Sequence, residues 1–347
     1  MVADRILSRG LLIFALLVVF MVALGGLTRL TRSGLSITEW KPVLGALPPI
    51  TETQWQAEYA KYQKTPEYQK VNHGIAMSRF QFIYFMEWFH RLVGRFLAVL
   101  LLAPFFILYV RGLLKPSHVM TAAILLILLA IQGFLGWYMV KSGLVNLPRV
   151  NHIRLTIHLL AAMGLLSAAW SFSLYYGFRW KPIPHHRGTA FFHLAWILLA
   201  LILLQIVFGA FTAGMRAGTI SSTWPLYQTA EGASWVPPGL WISDWGLRNL
   251  AQHPVAVYFV HRTLAWLVVL SMFAFAWYGL RQHPSRPQKV FLWHLVGLGF
   301  LQMLLGVWVV LAHVPVLVAS LHQLVAIGIY MAAFYLMVSS RLRPDAK

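Results

Sequence analysis

Four histidines, His90, His158, His261 and His322, lie inside long apolar segments, and arginine directly follows two of them in His90-Arg91 and His261-Arg262. Ionisable and ligating side chains at membrane depth are costly, so they are rare unless they act. Neutral imidazole is the commonest protein metal ligand. Two imidazoles facing each other across a helix bundle make a bis-histidine haem site. A core histidine bonded to a neighbouring helix explains any one of these residues alone, but explains four at matched positions poorly. The chain has no cysteine among its 347 residues. That removes disulfides, thiolate metal sites, iron–sulfur clusters and covalent c-type haem attachment. Zinc and di-iron sites want more ligands per site and carboxylates, whereas Glu87 and Asp244 are almost the only acidic residues near these segments.

The charged neighbours extend this chemistry. Arg91 and Arg262 follow the first histidine of each pair, and Arg95 lies one turn beyond Arg91. Guanidinium pairs with carboxylates in bidentate fashion, so these three are candidate partners for haem propionates. Arg79 and Arg154 stand at segment ends, where snorkelling accounts for such residues. Glu87 precedes His90 by three residues and so shares its helix face, and it also stands at i,i+4 to Arg91. It is a candidate for catalysis, for neutralising Arg91, or for both. Gly94, Gly133, Gly136, Gly209 and Gly306 offer room for a flat macrocycle, although glycine also serves ordinary helix packing in membranes.

The elements that must position these residues are membrane helices. Hydrophobic residues make up 59% and charged residues 11% of the chain, against roughly 25% charged in ordinary soluble domains, and mean hydropathy is +0.68. Apolar runs of about 20 residues mark spans, here eight: roughly Leu11–Leu27, Phe80–Val110, Val119–Val140, Leu155–Tyr176, Ala190–Ala213, Val255–Leu280, Val290–Leu311 and Pro315–Val338. The first has no small-residue cleavage site and reads as a retained helix. Pro104 is a candidate kink in the second. The net charge of +19 comes from 28 Lys and Arg against 9 Asp and Glu. In a soluble chain it would suggest nucleic acid. Here the basic residues cluster at span ends, indicating topology and anionic lipid. Both tails and the connections 111–118, 177–189 and 281–289 carry Arg5, Arg9, Arg111, Lys115, Arg179, Arg187, Arg281, Arg286 and Lys347, among others, so this side is cytoplasmic and includes both termini. The long connections 28–79 and 214–254 are then extracytoplasmic. Thr51 and Gln54 form a capping box that opens a helix to about Gln63, with Trp55, Tyr59 and Tyr62 on one side. Trp224, Trp235, Trp241 and Trp245, with Pro237-Pro238, suit a membrane interface or a cap over a site below.

An internal repeat organises the chain. Trp40 matches Trp224, Gln132 to Trp137 resembles Gln302 to Trp308, His90-Arg91 matches His261-Arg262, and His158 matches His322, at separations of 164 to 184 residues. Four helices per repeat keep the two halves in one orientation, a parallel repeat about an axis along the membrane normal. The expected fold is an all-α polytopic membrane protein of two pseudo-symmetric four-helix bundles, 1–180 and 181–347, with one histidine pair each. All four histidines fall toward the extracytoplasmic ends of their spans. The repeat places Tyr258 where Glu87 stands. One half thus has a carboxyl group beside its haem and the other does not, which suggests one catalytic or substrate haem and one electron-transfer haem.

The run Gly25 to Thr31, Glu87-x-x-His90-Arg91, Gly133-x-x-Gly136, the His158 helix, His261-Arg262 and Leu321-His322-Gln323 together resemble the haem A synthase family over nearly the whole chain. Gly34 to Pro42 followed by Gly45 to Pro49 resembles the first outer loop of its proteobacterial and mitochondrial branch. The cysteine pair that some members carry in their outer loops is missing, so no disulfide role carries over. The resemblance implies oxidation of the C8 methyl of haem O to a formyl group by successive hydroxylation, giving haem A for cytochrome c oxidase. It implies that His90 and His158 hold haem O as substrate, that His261 and His322 ligate a haem b iron as cofactor, and that Glu87 assists proton transfer or stabilises positive charge at the methyl carbon. It also implies a bacterial inner membrane, and leaves open an electron donor, a haem O synthase as partner, and a homo-oligomer. The competing reading is a dihaem b-type cytochrome that passes electrons from a quinol without altering either haem.

Overall fold

The computed structural model describes residues 2–40, 44–145, 148–178, 181–182 and 189–343. Lys41-Pro42 of the first outer loop, Arg179 and Arg187 of a basic connection, and Lys347 lie outside the described residues. In chain order, helix α1 (Val2–Leu30) is followed by the short helices α2 (Glu52–Tyr62) and α3 (Pro66–Lys70), and then by α4 (Met77–Val110), α5 (Pro116–Lys141) and α6 (His152–Phe178). Strand β1 (Lys181–Pro182) precedes α7 (Thr189–Met215). A hairpin of β2 (Tyr227–Thr229) and β3 (Gly232–Ser234) and the turn α8 (Asn249–Gln252) lead to α9 (Pro254–Leu280), α10 (Arg286–Leu311), α11 (Val316–Ser339) and β4 (Leu342–Arg343), which pairs with β1. Apart from these two small strand pairs, the regular elements of the described residues are helical. Among the described residues, eight helices are long and apolar enough to cross a membrane: α1, α4, α5, α6, α7, α9, α10 and α11.

Two compact units emerge, Met1–Gly177 and Phe178–Lys347, and each holds four of these helices. Helix α1 buries Leu7, Leu11, Phe14, Ala15, Val18 and Val22, a stripe at helical spacing. Its outward residues, such as Leu16 at 60% exposure, present hydrocarbon to lipid. Helix α4 passes through Pro104 as one element, and Gly10 of α1 packs there so closely that a Cβ would come 2.7 Å from the proline Cβ. Proline near the start of α5, α9 and α10 sets those ends, where an N–H would have no partner anyway.

The outer loops are built onto the bundles. The Thr51 capping box forms as the sequence indicates, and α2 lays Trp55, Tyr59 and Tyr62 against Phe80, Ile83 and Tyr84 of α4. This helix packs on the bundle. In the second loop, Trp224 stacks on Trp266 at 5.7 Å. Tyr227 is buried with Met215, Val257 and Tyr258. Trp235, Trp241 and Trp245 remain exposed, as an interfacial belt requires.

Candidate functional site

In the first unit, His90 on α4 and His158 on α6 lie close enough for their charges to interact. Each ring rests against a glycine of the preceding spanning helix. A Cβ on Gly25 would stand 3.3 Å from His90 Nε2, and one on Gly136 would stand 3.1 Å from His158 Cε1. The second unit repeats the arrangement. His261 on α9 and His322 on α11 again lie near one another. A Cβ on Gly209 or on Gly306 would come within 3.1 Å of the Cε1 of His261 or His322, respectively. These glycines let the rings approach the neighbouring backbone. Gly133, by contrast, opens onto free space, and the nearest atom to Gly94 is Met21 Cε at 3.7 Å.

Carboxamides accompany three of the rings. Gln132 Nε2 lies 3.4 Å from His158 Nε2, Gln205 Nε2 lies 3.1 Å from His261 Nδ1, and Gln302 Nε2 lies 3.3 Å from His322 Nε2. Gln132 and Gln205 also donate to the backbone carbonyls of their histidines, at 3.1 and 3.0 Å.

These residues fit the iron porphyrin that the sequence predicts. Among the described residues no three His, Cys, Asp or Glu come together, so paired imidazoles are the ligand set each unit offers. Nδ1 of His158 and Nδ1 of His322 are buried with no hydrogen-bond partner, which is costly for a ring nitrogen and natural for a ligand atom. Arg262 donates from Nη2 to the Pro225 carbonyl at 2.9 Å and lies 4.2 Å over the Tyr227 ring, yet its Nη1 is buried without a partner. The Tyr227 hydroxyl beside it is likewise buried and unpartnered. Burial pushes this phenol up to about 12, against the opposing charge of Arg262. A carboxylate would satisfy both groups.

The first unit uses its charges differently. Glu87, at 3% exposure, accepts at Oε2 from the Ser36 amide (2.8 Å), the Ser36 hydroxyl (2.8 Å) and the Ile37 amide (3.0 Å), and at Oε1 from Arg91 Nη2 (2.6 Å). Arg91 also donates to the carbonyls of Ile37 and Glu39 at 3.3 Å each. The i,i+4 pair thus forms and clamps the first outer loop onto α4. Arg95 joins Arg91, Glu39, Glu58, Tyr84 and Ile37 around a polar pocket beneath that loop. At the repeat-matched position, Tyr258 donates its hydroxyl to the Ser221 carbonyl at 3.3 Å. It also anchors an outer loop, but without charge. Arg154 donates to the Tyr138 carbonyl at 2.9 Å and Arg79 to the Thr31 carbonyl at 3.2 Å, both at helix ends.

Sequence reasoning assigned no role to the three glutamines or to Gly25. The signal was present as Gln132-x-x-x-Gly136, Gln205-x-x-x-Gly209 and Gln302-x-x-x-Gly306, a carboxamide and a glycine one turn apart on a single helix face.

Comparison with known proteins agrees with this geometry. Residues 8–334 match the family described as cytochrome oxidase assembly protein. Among curated proteins, the chain is 36% identical over 326 residues to a heme A synthase of Wolbachia pipientis wMel, covering 94% of this chain and 90% of that one. It is 39% identical over 327 residues to a heme A synthase of Rickettsia bellii strain RML369-C, covering 93% and 95%. To a heme A synthase of Rhodospirillum centenum it is 38% identical over 332 residues, covering 92% and 84%.

Proposed function

The chain belongs to the cytochrome oxidase assembly protein family, and from that membership and the two imidazole pairs we propose that it is a membrane oxidoreductase converting haem O to haem A. The C8 methyl of haem O is oxidised to a formyl group by successive hydroxylation, and the product serves cytochrome c oxidase. The observation that carries this reading is the duplication of a glycine-backed histidine pair in both units, with a buried carboxylate, Glu87, three residues before His90 on α4.

His90 and His158 hold the haem O substrate, and His261 and His322 hold haem b. When bound, haem b supplies one-electron transfer toward the substrate site. Arg262, with a buried unpartnered Nη1, meets a propionate of haem b. Arg95 serves the same end in the first unit. Arg91 is already matched to Glu87, so its first task is to hold the carboxylate and the loop in place. Glu87 carries a fixed negative end beside the substrate bundle. With its oxygens filled by donors, that end suits electrostatic stabilisation of a developing cation better than proton transfer.

The basic connections support a reading in which both termini lie in the cytoplasm of a bacterial cell, the chain in the inner membrane and the haem sites toward the opposite face. Converting the methyl to a formyl group is a net oxidation, so the reaction requires an oxidant, and where dioxygen hydroxylates the carbon it also requires an electron donor to reduce the second oxygen atom. A haem O synthase is the natural source of substrate. A homo-oligomer is compatible with the lipid-facing surfaces.

Extraction and chromatography of the haems from purified protein test the reading. The expected outcome is haem B together with haem O, haem A or a hydroxylated form between them. Haem B alone at two equivalents would overturn it in favour of a dihaem cytochrome.

A further inference from the structure

We infer that Gln132, Gln205 and Gln302 are positioning residues for the haem-ligating imidazoles, and that Met21, standing where a fourth carboxamide would be, leaves His90 as the ligand that lets haem exchange. The inference rests on the ligand assignment above. A ligating imidazole gives one nitrogen to iron, and the partner of its other nitrogen sets ring orientation and basicity. Three of the four rings have a carboxamide within 3.1 to 3.4 Å of a ring nitrogen, one turn before the glycine that backs the ring. In all three the amide oxygen, Oε1, is buried and unpartnered. A carboxamide offers both donors and an acceptor. A half-turn about its terminal torsion presents the idle Oε1 to a ring N–H, as iron ligation at the other nitrogen requires. At Gln132 and Gln205 it gives up the bond from the same Nε2 to the histidine carbonyl, whereas at Gln302 the described contact is to the ring alone.

On α1 the residue four before Gly25 is Met21. It faces α4 at Gly94, one turn beyond His90. A thioether is at best a weak acceptor. Among the described residues, none hydrogen-bonds the His90 ring. The second unit thus fixes both of its imidazoles, as suits a resident haem. The first unit fixes one and leaves the other loose, as suits a haem that enters as substrate and leaves as product.

The test uses the full chain in detergent, with apomyoglobin as haem acceptor. Gln205→Leu and Gln302→Leu should each speed loss of haem b by about 10- to 100-fold and raise its midpoint potential. Gln302→Glu, a stronger acceptor, should lower the potential and keep the haem, so the inference stays testable if the Leu variants fail to accumulate. Met21→Gln should slow exchange of haem O or haem A about tenfold without altering haem b. Unchanged loss rate and potential in the glutamine variants, or unchanged exchange in Met21→Gln, would overturn the inference. His261→Ala separates the two levels. Loss of haem b there, alongside silent glutamine variants, leaves the ligand reading standing and ends only this one. Retention of haem b there ends the ligand reading itself.

Discussion

Replacing Glu87 by alanine should release the first outer loop before it does anything else. The carboxylate is the partner of the Ser36 and Ile37 amides and of Arg91. Ser36 is 1% exposed, so water does not take its place. The Ser36 hydroxyl keeps its bonds to the carbonyls of Ser33 and Ile83, and Arg91 keeps those of Ile37 and Glu39. What remains uncompensated is the buried Ser36 amide, at about 1–3 kcal/mol, the partly buried Ile37 amide, at less, and a largely buried cation whose lost partner is worth about 3–5 kcal/mol. These costs do not add, because the loop lets go once they exceed its docking energy. Local destabilisation of about 3–5 kcal/mol corresponds to roughly a hundredfold to several thousandfold faster amide exchange, at about 1.4 kcal/mol per factor of ten. Hydrogen–deuterium exchange of a peptide spanning residues 33–40 measures it. Protection at Ser36 and Ile37 within about threefold of the parent chain would refute the clamp. Glu87→Gln then separates clamp from chemistry, since it keeps an acceptor for the amides but loses the ion pair. Haem A formation that falls while protection holds assigns the carboxylate a direct role. Loss of both together makes it a positioning residue.

Other perturbations test other parts of the site. His261→Ala or His322→Ala should abolish the low-spin b-type optical spectrum, and its retention in either would remove that ligand pair. Gly209→Ala places a methyl 3.1 Å from the His261 ring. The displaced imidazole should cost about 1–3 kcal/mol and lower the haem b content per chain, whereas Gly164→Ala, with nothing within 4 Å, should leave it unchanged. Arg262→Leu removes the unpartnered guanidinium and the bond to the Pro225 carbonyl. It should weaken haem b retention about tenfold or more, at about 1.5–3 kcal/mol for a bond to a charged group, as measured by transfer to apomyoglobin.

The spans, the buried positions of the four histidines and the Thr51 cap were legible in the sequence because each is a local contrast: apolar length against polar flanks, an imidazole inside hydrocarbon, a hydroxyl three residues before a carboxamide. The clamp on Glu87 was legible only in part. Its bond to Arg91 follows from helix spacing, but its bonds to Ser36 and Ile37 join residues about fifty apart through an irregular loop that no periodicity encodes. The glutamines were overlooked for a different reason. An uncharged amide in an apolar helix neither stands out in hydropathy nor belongs to a ligand set, and Gln205 acquires meaning only once the His261 ring is seen 3.1 Å away. The glycines were expected to make room for a macrocycle. Gly136, Gly209 and Gly306 instead press on the imidazoles, and Gly133 is the one that opens onto space.

The comparison of Glu87 with Tyr258 carries the asymmetry further than ionisation alone. Both residues stand three before a histidine, and both hold the preceding outer loop. The carboxylate does so by accepting, and it neutralises the arginine one turn on. The phenol does so by donating, and it leaves Arg262 over two aromatic rings with a buried nitrogen still unmatched. A cation in that state is stabilised by any carboxylate brought beside it, which, on the proposed assignment, would favour retention of a dianionic porphyrin in the second unit. In the first unit the equivalent cation, Arg91, is already matched to Glu87, so a porphyrin carboxylate there would depend on Arg95 instead. Imidazole support and the pairing of Arg91 but not Arg262 would favour the same division between a retained haem and an exchanged one and rest on different side chains, whereas loop anchoring shares Glu87 with that pairing.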